Sequence, residues 1–103
     1  MKNSELDIIV KTIADGYKPE KIYLFGSSLN NSTEVGNDID LLIIKSTEEP
    51  FLKRPLSVHR LFKPYIYNLD IRVYTPEEFD ASKNSINTIA YIVNRRGRLL
   101  YDA

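Results

Sequence analysis

Apolar and polar residues recur along this chain with two periods, one typical of helices and one typical of strands. The apolar positions with helical spacing near the N-terminus are Leu6, Ile9, Val10 and Ile13. Their spacing predicts an amphipathic helix with Ser4 as its N-cap. Gly16 suits the left-handed residue that follows a helix, and Pro19 prevents the helix from continuing.

Several further stretches have the composition or the alternation of β-strands. Lys21 to Phe25 is rich in β-branched and aromatic residues, which predicts a strand. Asp38 to Ile44 contains an apolar run, Leu41 to Ile44, which predicts a central strand covered on both faces. From Leu69 to Tyr74 apolar and polar residues alternate, so this strand is expected to bury one face. Leu99 to Tyr101 is expected to add an edge strand.

Three shorter helices are predicted between and after these strands. The first lies near Leu56 to Lys63. The second begins at Thr75-Pro76-Glu77-Glu78, which combines an N-cap threonine, a proline at the first helical position and a glutamate three residues after the cap. The third is expected to be capped by Ser85 and to stop at Gly97. Its apolar stripe consists of Ile86, Ile89, Ala90 and Val93.

The order of these elements predicts a single α/β (α+β) domain over residues 1–103, with a mixed sheet flanked by helices. A chain of 103 residues can bury one core but has no room for a separate substrate-binding domain. No apolar run approaches the roughly 20 residues of a membrane-spanning helix, and the N-terminus lacks the apolar core of a signal peptide. We therefore expect a cytoplasmic protein with no membrane partner.

Charge and cysteine content exclude several classes of function. The chain has 14 basic and 14 acidic residues and a formal net charge of zero, so unaided binding to nucleic acid is disfavoured. It has no cysteine, which excludes disulfide frameworks, thiolate zinc sites and cysteine nucleophiles.

The strongest chemical signal is a pair of carboxylates, Asp38 and Asp40, where the predicted central strand begins. Residues two apart in a strand point to the same face, so these carboxylates would lie side by side and repel each other. A magnesium ion would offset the repulsion, because magnesium is usually held by one or two carboxylates and substrate phosphates. Alternatively, both side chains lie in the loop before the strand and are solvated. The pair favours metal-assisted chemistry on a phosphate ester.

Gly26-Ser27 and Asp70 are further candidates for the site that this pair indicates. Gly26-Ser27 ends the first predicted strand, where the glycine would let the backbone approach a phosphate and the serine would donate hydrogen bonds. The alternative for Gly26-Ser27 is an ordinary turn. Asp70, taken alone, is a solvated residue paired with Arg72. If its strand pairs with that of Asp38, three carboxylates converge, an arrangement that holds two metals about 3.5–4 Å apart.

Gly26-Ser27, the ten residues that follow, Asp38-x-Asp40 and the later strand carboxylate Asp70 together resemble the signature of the minimal nucleotidyltransferases, within the DNA polymerase beta-like superfamily. The leading helix, the strands and the C-terminal segment are also similar to that family, so the resemblance covers almost the whole chain. It implies a nucleotidyltransferase fold that uses magnesium and a nucleoside triphosphate such as ATP.

The resemblance also implies roles for the phosphate-binding residues. Gly26 and Ser27 would hold the β- and γ-phosphates, with Ser28 beside them where many members have an arginine. Asn31 stands where many members have a glycine.

The same resemblance implies roles for the carboxylates and for a partner. Asp38 and Asp40 would ligate two Mg²⁺ ions, and Asp70 would ligate the catalytic metal and help to activate the acceptor hydroxyl. Many compact members are antitoxins paired with HEPN-domain ribonuclease toxins, and some transfer AMP onto a toxin tyrosine.

The expected function is therefore transfer of a nucleotide, AMP from ATP, to a hydroxyl of a HEPN-type partner protein in a homo- or hetero-oligomer. Two alternatives stay open. One is a binding module with little or no catalysis that neutralises a toxin by contact, which the serine at position 28 motivates. The other is a nucleotidyltransferase that acts on a small hydroxylated molecule such as an aminoglycoside.

Overall fold

Four helices and four strands make up the parts of the chain that the computed structural model describes, which are residues 3–26, 39–63 and 67–103. In chain order they are α1 (Asn3–Tyr17), β1 (Lys21–Phe25), β2 (Ile39–Ile44), α2 (Arg54–His59), β3 (Leu69–Tyr74), α3 (Pro76–Ser82), α4 (Ile89–Arg96) and β4 (Arg98–Asp102). A short 3₁₀ helix, Phe51–Lys53, leads directly into α2.

The four strands form one mixed sheet in the order β3-β2-β1-β4. β1 pairs antiparallel with both β2 and β4, whereas β2 and β3 run parallel. The apolar run predicted to form a central strand is buried between two neighbours, and the C-terminal strand lies at the edge of the sheet, so both predictions are confirmed. The predicted α+β class, a mixed sheet flanked by helices, is also confirmed.

The first face of the sheet carries the larger apolar cluster. Alternate residues of β2 point to it because side chains alternate across a strand. The buried members of this cluster include Ile9 and Ile13 of α1, Ile22 and Leu24 of β1, Ile39, Leu41 and Ile43 of β2, Val58 of α2, and Ile71 and Val73 of β3. The predicted amphipathic face of α1 is thereby confirmed.

The second face carries a smaller cluster beneath α3 and α4. Its buried residues are Phe25, Leu42, Ile44 and Val93, against which Tyr23, Tyr74, Phe79 and Ile89 pack. The rings of Tyr23 and Phe79 stack with their centroids 5.9 Å apart. The same face also carries the polar residues of the candidate site, because Asp40 and Asp70 alternate with the buried residues of the first face.

The end of α1 differs from the prediction. The helix runs through Gly16 to Tyr17, and the left-handed residue is Lys18, with a φ of 53°. The ring of Tyr17 is buried, and its carbonyl oxygen accepts a hydrogen bond of 2.6 Å from Nζ of Lys45, which stabilises one further helical residue. Gly16 meets a packing requirement instead, since a Cβ there would lie 2.7 Å from Cδ2 of Leu61.

The helix predicted at Leu56 to Lys63 begins earlier and ends earlier than expected. It covers Arg54–His59, with a proline near its first position. Beyond it the backbone tightens, because the N–H groups of Leu61 and Phe62 donate to carbonyl oxygens three residues back. These turns still bury Phe62, so the apolar stripe is correct up to this point although its last turns are not α-helical.

Of the two helix N-caps predicted in the C-terminal third, one is confirmed and one is wrong. The capping box at Thr75 is confirmed, since the Thr75 hydroxyl accepts from the Glu78 N–H at 3.1 Å and the Glu78 carboxylate accepts from the Thr75 N–H at 2.9 Å. The Ser85 cap is wrong. Thr88 caps α4, its hydroxyl accepting from the Tyr91 N–H at 3.1 Å, and Ile86 lies before the helix and is 73% exposed. The predicted stop at Gly97 is confirmed, although Gly97 has an ordinary φ of −68°.

A buried arginine joins the elements on the two faces. The Arg54 guanidinium, at the start of α2, donates to the Val73 carbonyl oxygen at 3.1 Å and to both carboxylate oxygens of Glu78 at 2.6 and 3.2 Å. Its Nε donates to the Glu49 carbonyl oxygen at 2.8 Å. α2 and the capping box of α3 are therefore held together around the C-terminal end of β3.

In the part of the chain that the structure describes, no helix is both long enough and apolar enough to cross a bilayer.

Candidate active site

Two of the three predicted catalytic carboxylates lie next to each other on neighbouring strands. In the parallel pairing of β2 with β3, Asp40 is the direct partner of Asp70. Paired residues of adjacent strands point to the same face, with backbones about 4.8 Å apart. The sequence predicts that the carboxylates converge if their two strands pair. The strands do pair, and Asp40 and Asp70 lie side by side.

Apolar residues flank the carboxylate pair on the same face of the sheet. Asp40 stands opposite Phe25, the last residue of β1, and the rest of β2 on this face is the buried pair Leu42 and Ile44. Asp40 is half-buried, and the Asp70 side chain is 46% exposed. The carboxylates thus lie at the end of the strands, where the cover of α3 and α4 gives way to solvent.

Gly26 closes the site from the side of β1. Its φ is +73°, a conformation that glycine adopts at little cost and that other residues rarely adopt. A Cβ on Gly26 would overlap the carboxylate of Asp40, whose Oδ2 is the nearest atom. Glycine is thus required here both by backbone conformation and by space, and it leaves the Asp40 carboxylate room that any other side chain would fill.

Arg72 neutralises part of the charge of the pair. Its Nη1 lies 3.0 Å from Oδ1 of Asp70, and the two side chains are 35% and 46% exposed. The pairing with Arg72 expected for Asp70 on its own therefore coexists with the neighbouring Asp40. Because both side chains are partly solvated, the ion pair stabilises the fold only weakly, and a metal ion at Asp70 would compete with the Arg72 guanidinium group.

The residues that the structure describes fit a divalent metal. Two carboxylates side by side supply hard oxygen ligands, which magnesium prefers, and the absence of a Cβ at Gly26 lets the Asp40 carboxylate take its place in this pair. Within residues 3–26, 39–63 and 67–103, no three acidic or histidine side chains lie close enough together to hold a metal ion. The predicted third ligand, Asp38, lies outside these ranges.

The remaining predicted site residues also lie outside the described parts of the chain. They are Ser27 and Ser28 of the phosphate-binding turn, together with Asp38. Their assignments stay predictions, and Gly26 is the one member of the predicted phosphate-binding set whose geometry is described.

Sequence reasoning did not find the cavity beside Asp70. Besides Asp70 it is lined by Leu56, His59, Arg60, Phe62, Tyr67, Asn68 and Leu69. Nothing in the sequence signals it, because an exposed arginine at a helix end looks like a solvated surface charge. The cavity depends on how the end of α2 lies against the start of β3, which is a tertiary property.

Comparison with protein families agrees with this geometry. The family described as polymerase beta, nucleotidyltransferase matches residues 7–103 of the chain. Comparison with curated proteins and with solved structures gave no significant match. The match extends from α1 to the C-terminal residue and includes both paired carboxylates and Gly26. The chain belongs to the polymerase beta nucleotidyltransferase family.

Proposed function

We propose that this nucleotidyltransferase moves AMP from ATP to a hydroxyl of a partner protein in a magnesium-dependent reaction. The observation that carries the proposal is the direct pairing of Asp40 with Asp70 on adjacent parallel strands. Two carboxylates held side by side repel each other, and a site that binds a divalent cation uses that arrangement. The family membership supplies the reaction class.

The chemistry is an in-line displacement at the α-phosphorus. A bond forms between the acceptor oxygen and the α-phosphorus, the bond to the bridging oxygen of the β-phosphate breaks, and pyrophosphate leaves. Bound divalent cations would neutralise the charge that develops on the attacking and leaving oxygens. Asp40 and Asp70, with Asp38 as the predicted third ligand, would hold the cations.

The chain's own groups have separate tasks in this reaction. Asp70 is proposed to lie beside the acceptor hydroxyl and to help remove its proton, and its side chain is 46% exposed, which leaves it accessible to an acceptor. Gly26 leaves the Asp40 carboxylate the room that a Cβ would take. With Ser27 and Ser28 it is proposed to bind the β- and γ-phosphates through backbone and hydroxyl donors. Arg72 pairs with Asp70 and places a cation beside the carboxylate pair.

The partner is proposed to be a HEPN-type toxin, which makes this chain the antitoxin of a cytoplasmic pair. A specific observation favours a second candidate, neutralisation by contact with little catalysis. Leu52 is 87% exposed, with Leu56 at 52% and Phe51 at 43% beside it, and a contiguous exposed apolar patch is typical of a protein interface.

The test is transfer of label from α-labelled ATP, with Mg²⁺, into proteins of a lysate of the native host. We expect Asp40→Asn to reduce transfer by at least roughly 100-fold, because it removes a charged ligand of the reaction centre. The substitution is isosteric, so the protein should stay folded, which thermal unfolding of the variant checks.

Asp102→Asn is the matched control, since it neutralises an exposed carboxylate on β4, at the opposite edge of the sheet. Equal transfer by wild type and Asp40→Asn would refute the proposed enzyme. If neither protein transfers label although both bind a lysate protein that they neutralise, the contact mechanism is correct.

A further inference from the structure

The last turn of α4 carries two adjacent arginines, Arg95 and Arg96, and both side chains are exposed. The guanidinium of Arg95 lies over the ring of Tyr91, 5.3 Å from its centre. Within the described parts of the chain, Arg96 forms neither an ion pair nor a contact with an aromatic ring. Arg95 therefore packs on its own helix, whereas the charge of Arg96 is available to a ligand.

The packing of α4 places this turn at the end of the sheet that carries the candidate site. Val93 belongs to the same buried cluster as Phe25, the residue of β1 that stands opposite Asp40. β4 begins one residue after α4, and its first residue pairs with Leu24. The last turn of α4 therefore lies near the end of β1, which Gly26 follows directly.

Helical spacing places Arg96 on the side of α4 that is turned toward β3. Residues seven apart lie on the same side of a helix, two turns from each other, so Arg96 shares a side with Ile89. Ile89 packs against the second cluster and lines a cavity of about 390 Å³ together with Tyr74 of β3. Because β2 lies between β1 and β3, an arginine on this side of the last turn is directed toward the carboxylates of Asp40 and Asp70.

The proposed phosphate-binding turn has no positive charge of its own, since Gly26, Ser27 and Ser28 are uncharged. A triphosphate carries several negative charges, and the pyrophosphate that leaves keeps the electron pair of the broken bond. Arginine suits such a group, because its guanidinium can donate two parallel hydrogen bonds to one phosphate. Arg72, on the same face, already donates to Asp70 at 3.0 Å. Arg96 is thus the better placed cation for the phosphates.

The position of Arg96 at a helix end has a simpler consequence as well. Basic residues near the C-terminal end of a helix interact favourably with its free carbonyl groups, and both arginines of the last turn have that position. This interaction is available equally to Arg95 and Arg96 and does not depend on a nucleotide. A difference between the two arginines in nucleotide binding therefore separates phosphate binding from stabilisation of the helix.

We propose that Arg96 binds the β- and γ-phosphates of the nucleoside triphosphate and stabilises the pyrophosphate as it leaves. The proposal rests on the proposed function, because it adds a substrate-binding residue to the same site. The phosphates are held between the end of β1, where Gly26 begins the phosphate-binding turn, and the end of α4. The positive charge of Arg96 offsets the negative charge that pyrophosphate keeps when its bond to the α-phosphorus breaks.

The test measures nucleotide affinity without an acceptor, separately from transfer. Calorimetric titration in the presence of Mg²⁺ gives the affinity of the intact chain for ATP and for AMP, which lacks the β- and γ-phosphates. Arg96→Gln should weaken ATP binding at least about tenfold, the effect of roughly one charged hydrogen-bonded pair. It should change AMP binding by less than about twofold, the size of a distant screened charge. Arg96→Lys should recover part of the loss, because lysine keeps the charge without the paired donors.

Arg95→Gln is the matched control. It removes the same charge from the same turn, but from a side chain that lies over Tyr91 and is turned about 100° away around the helix. It should change neither affinity by more than about twofold. An ATP affinity that is unchanged in folded Arg96→Gln, or that Arg95→Gln lowers equally, would overturn the proposed role of Arg96.

Failure of the proposed function would look different, and label transfer from α-labelled ATP by the same variants distinguishes it. If ATP binding depends on Arg96 but wild type transfers no label, the phosphate site is supported and the transferase chemistry is refuted. If Arg96→Gln transfers label with the same dependence on ATP concentration as wild type, the transferase stands and the role of Arg96 is refuted. If wild type binds no ATP, both proposals are refuted.

Discussion

The two faces of the sheet are made by the same strands but differ in what covers them. The first face is apolar along its whole length and is closed by α1 and α2. The second is apolar at one end, beneath α3 and α4, and polar at the other, where Asp40 and Asp70 lie side by side. Neighbouring residues of β2 therefore have different roles. A substitution at one position changes the stability of the first face, whereas a substitution at the next changes the candidate site or its support.

The contrast also shows what the smaller cluster provides. Phe25, Leu42 and Ile44 fix the strands directly next to the carboxylates, so the pair is held on rigid elements rather than on a loop. Two like charges on adjacent strands repel each other, and Arg72, which pairs with Asp70, offsets part of that repulsion. The described site thus combines a pair of carboxylates with a firm support.

The largest stability effect should separate the two faces. Ile43 and Ile44 are adjacent buried isoleucines that point to opposite faces. We expect Ile43→Ala to lower the free energy of unfolding by about 3–5 kcal/mol and Ile44→Ala by about 2–3 kcal/mol, because the second cluster is smaller and its cavity relaxes more easily. Denaturant unfolding of both variants measures the difference. Equal losses would contradict the distinction between the faces.

The second largest effect on stability should come from the Arg54–Glu78 ion pair, which links α2 on the first face to α3 on the second. Glu78→Gln should cost about 1–2 kcal/mol at pH 7, a charged hydrogen bond discounted because this carboxylate is 41% exposed. The hydrogen bond from Arg54 holds the pKa of Glu78 below its ordinary value of 4.5, with help from Thr75. A lowered pKa in the folded state means that this stabilisation is complete above pH 4.5 and is lost as the pH falls through the lowered pKa.

Unfolding measured at a series of pH values below 5 checks this expectation. The difference between wild type and Glu78→Gln should shrink toward acid, since glutamine does not titrate. A difference that stays constant as the pH falls would show that the Arg54–Glu78 bridge does not depend on the charge of Glu78.

The smallest effect tests the cap of α4. Thr88→Ala should cost about 1 kcal/mol, because the Thr88 hydroxyl satisfies the Tyr91 N–H at the start of the helix. Ser85→Ala is the control and should change the free energy of unfolding by less than about 0.5 kcal/mol, as for most exposed positions. A larger loss at Ser85 than at Thr88 would restore the cap predicted from the sequence.

The sequence predicts local features of this fold better than tertiary ones. The strands and the Thr75 capping box follow from short patterns whose physics lies within a few residues. Ser85 and Thr88 are both good caps in the same stretch, and only the packing of α4 against β1 selects Thr88. The extension of α1 to Tyr17 depends on Lys45, which lies in a distant part of the chain.

The same division applies to the candidate site. The spacing of the two aspartates identifies Asp40, but its partnership with Asp70 depends on the strand order, which the sequence alone does not give. The requirement for glycine at position 26 was expected from phosphate binding, whereas the structure adds a contact with the Asp40 carboxylate. The cavity lined by Arg60 and Asp70 could not be predicted from the sequence, since separate elements of the fold form it.

The most direct test of the carboxylate pair is divalent cation binding itself. Mn²⁺ replaces magnesium as a paramagnetic probe, and its affinity is measured by electron paramagnetic resonance in wild type, Asp40→Asn and Asp70→Asn, with and without a non-hydrolysable ATP analogue. We expect wild type to bind Mn²⁺ more tightly when the analogue is present, and each substitution to weaken that binding by at least about tenfold while the protein stays folded. Mn²⁺ binding of equal affinity in all three proteins would contradict a shared cation site at Asp40 and Asp70.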